Sequence, residues 1–225
     1  MAKIGEVKEH LDVYSFEGEH IGTKEKKEFH EEMRKEYFEK GAVTIKHKAV
    51  KLLLLNSSGR IILQRRSKWK GDNAGLWDKT VGGHVSSDEG FDLAMLKECS
   101  QELGIPSTIV KEEEFDNAVS STNLRVLAIL KKVMTLDNFQ SKRKDSDGKE
   151  WIEPTISVFY FGYYDGAIQF VDGESCGLQV FSKEELKEDI KNAPDLFASD
   201  LKYMFDKFGK FIKPIENRYT HELND

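Results

Sequence analysis

Two carboxylates four residues apart, Glu98 and Glu102, follow a Gly82-Gly83 pair and an acidic Asp88-Glu89 step. Phe91, Ala94, Met95 and Cys99 recur at helical spacing through the same stretch, which predicts a helix with one buried face. Residues four apart on a helix stack on one side, so the two carboxylates share a face. Gly104 is a natural stop, and Pro106 cannot continue the turn. Stacked carboxylates beside a glycine loop are hard oxygen donors of the kind Mg²⁺ or Mn²⁺ takes, ions that keep water and bind substrate phosphates. Read alone, such a pair is more often a solvated helix face than a metal site.

A phosphate substrate needs cations, and Arg65, Arg66, Lys68 and Lys70 close the strand that precedes the glycine loop. They read either as an ordinary polar strand end or as a rim facing phosphates, since an arginine fork matches phosphate oxygens. The elements that must hold these groups follow in order. Leu11–Tyr14 and His20-Ile21 flank a Glu17-Gly18-Glu19 turn, a hairpin. Residues 24–40 form a charged helix with Phe29, Met33 and Tyr37 as its apolar stripe, suited to core or dimer contact, and Gly41 ends it. Residues 46–55 and 60–66 make a hairpin across Asn56-Ser57-Ser58-Gly59. Leu76–Val81 is a short strand feeding the glycine loop, with Trp77 as a core anchor. Further strands are expected at 126–136, 155–164, 168–171 and 177–181, with a polar loop at 138–149. Ser182 with Glu185 is a capping box opening a helix to about residue 191. One final amphipathic helix is expected over 195–208, with Leu196, Phe197, Leu201, Met204, Phe205 and Phe208 inward.

The stretch from Gly83 to Ile105 resembles the Nudix box, G-x5-E-x7-R-E-U-x-E-E-x-G-U, where U is aliphatic. Gly83, Glu89, Glu98, Glu102, Gly104 and Ile105 stand at its fixed positions, with Cys99 in an apolar slot; Lys97 replaces the arginine and Gln101 the first glutamate of the Glu-Glu pair. The resemblance implies an α/β fold, a Nudix α/β/α sandwich with a mixed sheet. An N-terminal hairpin and helix extension (1–45) would precede the Nudix domain (46–191), and a C-terminal helix and tail (192–225) would follow it. Leu63–Ser67, Gly75–Asp78 and Val81–Val85 narrow the likeness to the branch that holds isopentenyl diphosphate isomerases and related hydrolases. In those isomerases histidines bind a metal at the positions of His47 and His84, and a proton-transferring cysteine stands where this chain has Gly82. Isomerisation needs an acid–base group at the carbon centre, and glycine supplies none, so a hydrolase relative is expected.

That resemblance assigns Glu98 and Glu102 as metal ligands or, for one of them, the water-orienting base. It adds the carbonyl of Gly83 to the metal site, and diphosphate contacts to Arg66 and Lys70. Glu150, Glu153 and Glu174 are the candidates for a further acid, unranked. His47 and His84 remain open, since a lone strand histidine is more often structural. The implied activity is a Mg²⁺- or Mn²⁺-dependent hydrolase that cleaves a small-molecule diphosphate, such as a nucleoside diphosphate derivative. Gln101 brings one neutral oxygen and Lys97 a single-pronged contact. The alternative is therefore an impaired Nudix domain that binds a phosphorylated metabolite or a protein. Nudix proteins often form homodimers, which extends to this chain as an expectation.

Composition narrows the partners. The chain has 225 residues, 39% hydrophobic and 33% charged, and carries a net charge of −6. That balance suits one domain with extensions and argues against nucleic acid or an acidic membrane as partner. Two cysteines, Cys99 and Cys176, make no disulfide framework. The opening residues hold no long apolar run and no stretch approaches a membrane span, so a cytoplasmic protein is expected.

Overall fold

The computed structural model describes residues 8–171 and 173–215. The strands are β1 (His10–Ser15), β2 (His20–Glu25), β3 (Ile45–Leu55), β4 (Ile61–Arg66), β5 (Trp77–Asp78), β6 (Val81–His84), β7 (Ser107–Val110), β8 (Ala128–Lys144), β9 (Glu150–Tyr163) and β10 (Ser175–Phe181). The helices are α1 (Lys26–Lys40), α2 (Phe91–Leu103), α3 (Phe115–Ser121), α4 (Lys183–Asn192) and α5 (Ser199–Phe208).

β3 is the hub. One edge pairs in parallel with β9 along nearly its whole length, from His47↔Thr155 to Leu55↔Tyr163. The other edge is shared in turn by β1 at residues 45–46, β6 at 49–52 and β4 at 54–55. The sheet is mixed, in the order β10-β4-β3-β9-β8-β7. Side chains alternate across a strand, and β3 uses the alternation fully. Val50, Leu52 and Leu54 pack with Val158 and Tyr160 against Ala94, Met95, Cys99 and Leu103 of α2. Leu53 and Leu55 face the other way with Phe159 and Phe161, under Phe115 of α3, Leu186 of α4, and Leu201, Met204 and Phe208 of α5. The result is the expected α/β/α layering. α1 closes a smaller core of Leu11, Val13, Phe29, Met33, Val43 and Trp151.

Four elements differ from expectation, the first being the strand expected over 76–81, which is split into β5 and β6 with Gly82 and Gly83 inside β6 rather than in a loop. The supposed polar loop at 138–149 is largely strand: β8 runs to Lys144, and only a tight turn around Asp145 separates it from β9. Phe139 and Ser141 alternate inward with exposed neighbours. Ser141 finds its partner in the buried Asp200, so the strand's inward polar residue disguised the pattern. Residues 168–171 form no strand; Gln169 N–H and Val171 N–H donate to the carbonyls of Leu103 and Glu102, satisfying the end of α2 instead. The helix expected over 195–208 is broken at Phe197-Ala198, where Ala198 N–H donates to the Trp77 carbonyl; Leu196, ahead of the break, is exposed. α3 and β7 lie in a stretch for which no element was foreseen.

Where β3 parts from β4 to meet β6, Thr80 bridges the gap. Its hydroxyl donates to the Ile62 carbonyl and accepts from Leu54 N–H at 2.9 Å, fully buried. Thr80→Val keeps the shape and removes both bonds, which should lower the unfolding free energy by about 2–4 kcal/mol. Urea denaturation reads this directly; a loss below about 0.5 kcal/mol would show that the gap is closed by other means.

Candidate active site

The box helix α2 starts beyond the β6 loop and ends at Gly104, whose left-handed backbone (φ 61°) turns the chain away. Its cavity-side residues are Glu98 and Glu102. A side chain at Gly83 would overlap the Glu98 carboxylate, so glycine is what lets that carboxylate lie against the backbone of β6. Glu102 is 3% exposed and accepts from Gln64 Nε2 at 3.2 Å, and Gln64 in turn accepts from Ser175. Lys97 reaches Glu89 at 2.8 Å, tying the loop to the helix by one prong. Gln101 is exposed and borders a separate hollow beside Lys97 and Glu89, not the main cavity.

The main cavity, about 840 Å³, lies between α1, the middle of β3, the end of β4, β6 and α2. Arg66 and Lys70 both line it. Arg66 donates to the Asp72 carbonyl and lies 3.6 Å from Asp78; Lys70 pairs with Glu174 at 2.6 Å. Of the three unranked acids, Glu150 is exposed and outside the cavity wall, while Glu174 and Glu153 are on it.

Glu153 gathers His47, His84 and a third imidazole that sequence reasoning passed over, His30 of α1. The four ligand atoms lie within 4.8 Å of one another. His30 Nε2, His47 Nε2 and His84 Nε2 stand 3.0, 3.1 and 3.7 Å from Glu153 Oε1. Arg143 holds the other carboxylate oxygen at 2.6 Å. His30 sits beside Phe29, and α1 was read only for its apolar stripe. Lys26, His30 and Arg34 recur every fourth residue and all line the cavity, a polar stripe that was there to be read.

The imidazoles pose a donor problem. His30 Nδ1 and His47 Nδ1 lie 2.8 and 3.1 Å from the carbonyls of Lys26 and Lys48, so in the neutral ring that nitrogen carries the proton. Each Nε2 then points a lone pair at a carboxylate, acceptor against acceptor. Burial lowers the pKa of His47 and holds His84 well below the ordinary range, against the pull of the Glu153 carboxylate, which favours neutral rings. Burial raises the Glu153 carboxyl, but the Arg143 guanidinium outweighs it and keeps the group ionised, well below the usual carboxylate range. Three imidazoles and one carboxylate converging on a point are the donor set of a divalent transition ion, and His30 and His47 are anchored through Nδ1 as ligand histidines usually are. Glu98 and Glu102 offer only oxygen, which suits Mg²⁺ or Mn²⁺.

Residues 45–203 match the NUDIX domain family. The chain belongs to this family. The uncharacterized Nudix hydrolase YfcD of Shigella flexneri is 27% identical over 113 residues, 50% of this chain and 62% of that protein. The uncharacterized Nudix hydrolase PA4841 of Pseudomonas aeruginosa is 36% identical over 61 residues, 27% of this chain and 36% of that protein. An isopentenyl-diphosphate Delta-isomerase of Escherichia coli is 30% identical over 100 residues, 44% of this chain and 50% of the isomerase. The chain therefore spans less than two thirds of the length of these curated relatives. The crystal structure of DR0079 from Deinococcus radiodurans shares the Nudix fold at a TM-score of 0.59 and 18% identity, over 88% of this chain and 98% of that one. Among the described residues no helix is long and apolar enough to cross a membrane.

With His47 and His84 depressed in the fold, the unfolded chain takes up protons below about pH 6.5 where the folded one resists. Stability is then full above that pH and lost as pH falls. The metal-free Nudix protein should unfold at a lower temperature at pH 5.5 than at pH 7.5. Added Mn²⁺ or Zn²⁺ should raise the unfolding temperature at pH 7.5 and do so less at pH 5.5, as protons compete for the rings. His84→Asn should weaken both effects; a flat profile with no metal response would contradict the assignment.

Proposed function

We propose that this Nudix protein is a metal-dependent hydrolase cleaving a diphosphate linkage in a nucleoside diphosphate derivative or similar small molecule. The observation that carries this reading is the Glu98 carboxylate lying over bare Gly83 with Glu102 on the same wall of a cation-bearing cavity. Mg²⁺ or Mn²⁺ held by Glu98, Glu102 and the Gly83 carbonyl would neutralise phosphate charge and make bound water more acidic. The protein's own groups do the rest. Gln64 fixes Glu102, so that ligand needs no rearrangement on binding. Glu98 is less buried than Glu102, and its oxygen not engaged with the ion would take the proton of the attacking water. Arg66 and Lys70 grip the phosphate oxygens from the β4 side.

Two features favour turnover over a domain that only binds. Gln101 stands outside the main cavity, so its missing charge removes no donor from the wall. Lys97 still reaches Glu89, so the loop stays tied to the helix. Gly82 carries no proton-transferring side chain, which favours hydrolysis over the isomerase chemistry of the relatives. The imidazole cluster supports kinship with that branch, and we read it as a second metal centre, for Mn²⁺ or a similar transition ion.

Incubation with Mg²⁺ or Mn²⁺ and a panel of nucleotide-linked diphosphates should release a monophosphate. Glu98→Gln should lower kcat by about 10²–10⁴ with little change in KM. Arg66→Ala should act mainly on KM. Silence of the folded, metal-supplied wild type across the panel would leave the binding-only alternative standing.

A further inference from the structure

Below the rim of the cavity lies a buried set of charges of which hydrolysis as described uses only Arg66. Lys79 is 4% exposed, with Nζ 3.2 Å from each oxygen of Asp78 and 3.7 Å from Asp200. Lys51 is 1% exposed, with Nζ 3.0 Å from Asp200 Oδ2. Asp200 comes from the first turn of α5 and also accepts from Ser141 Oγ at 2.6 Å. Arg66 and Arg143 complete the set against Asp78 and Glu153.

The arrangement has a direction. Lys51, Lys79, Arg66 and Arg143 line the cavity, whereas Asp78 and Asp200 do not and sit behind them. Of this set, four cations (Lys51, Lys79, Arg66, Arg143) face the cavity, and of their three partner carboxylates (Asp78, Asp200, Glu153) only Glu153 does. Buried ammonium groups are costly unless compensated, and burial lowers the pKa of Lys51 against the pull of Asp200. An arriving anion would meet the two ammonium groups on their open side, opposite Asp78 and Asp200.

Gly82 makes this possible. A side chain there would overlap Cε of Lys79, so residue 82 and the Lys79 ammonium compete for one space. The glycine that leaves the site without a proton-transfer group is the same glycine that admits the lysine. Such a floor is hostile to an apolar tail, which would strip water from charges and return nothing.

We propose that Lys51 and Lys79, braced from behind by Asp78 and Asp200, form an anion subsite at the cavity floor. The substrate is accordingly a diphosphate compound carrying at least one further anionic group, not one with a prenyl tail. This rests on reading the cavity as a diphosphate site and names the substrate class that it selects.

Isothermal titration calorimetry of the full chain as purified, with no divalent ion in the titrant, compares three probes: pyrophosphate, tripolyphosphate and dimethylallyl diphosphate. The wild type should bind tripolyphosphate at least about tenfold more tightly than pyrophosphate, and the prenyl compound no more tightly than pyrophosphate. Lys79→Met should reduce the tripolyphosphate preference to about threefold or less. If that variant fails to fold, Lys79→Met with Asp78→Asn removes the cation together with its paired carboxylate and should give the same result. Preference retained in either folded variant, absence of preference in the wild type, or clearly tighter binding of the prenyl compound would each overturn the proposal. Binding is read without turnover. A protein that shows the preference but hydrolyses nothing would sink the hydrolase reading and leave this one, and an active protein without the preference would do the reverse.

Discussion

A carboxylate from one helix lying against the bare backbone of a neighbouring strand is the contact on which the site depends. Glu98 reaches that position because Gly83 has no side chain in the way. The contact in turn fixes how close α2 sits to β6, and so where Glu102 falls. The apolar side of α2 supplies the holding force: Ala94, Met95, Cys99 and Leu103 bury against Val50, Leu52 and Leu54 of β3. Packing and chemistry are thus two faces of one helix.

β3 and β6 distribute the remaining groups by strand alternation. Gly83 pairs with Val50 and opens toward α2; Gly82 pairs with Lys51, and His84 with Ala49, so those positions open the other way. His47 and Lys51 share that second face by their even spacing along β3. Glu153, two residues before the partner of His47 on β9, joins them. One sheet therefore offers oxygen donors on one side and imidazoles and ammonium groups on the other. A single cavity is bounded by groups from both. α1 and α5 close the second side, with His30 and Asp200 as their contributions.

What was legible in the sequence was what obeyed a period. The box helix, the β3–β4 hairpin, α1 and the capping box at Ser182 all announced themselves by apolar spacing and stop residues, and each stands within a residue or two of its expected place. What was hidden were inward-facing polar residues. Ser141 and Arg143 make a strand look like a loop because their partners lie on other elements, Asp200 on α5 and Glu153 on β9. His30 was concealed beside the apolar stripe of α1, and Asp200 inside a helix read for its leucines and phenylalanines. A buried polar residue is recognisable only with its partner, and the partner is supplied by tertiary structure. The same limit left Glu150, Glu153 and Glu174 unranked.

Anomalous diffraction from crystals grown with Mn²⁺ and a non-hydrolysable diphosphate analogue would locate the ion. A manganese peak is expected where Glu98, Glu102 and the Gly83 carbonyl meet the analogue. Manganese at the imidazole cluster alone, with the two box carboxylates pointing apart and no ion between them, would contradict the hydrolase reading.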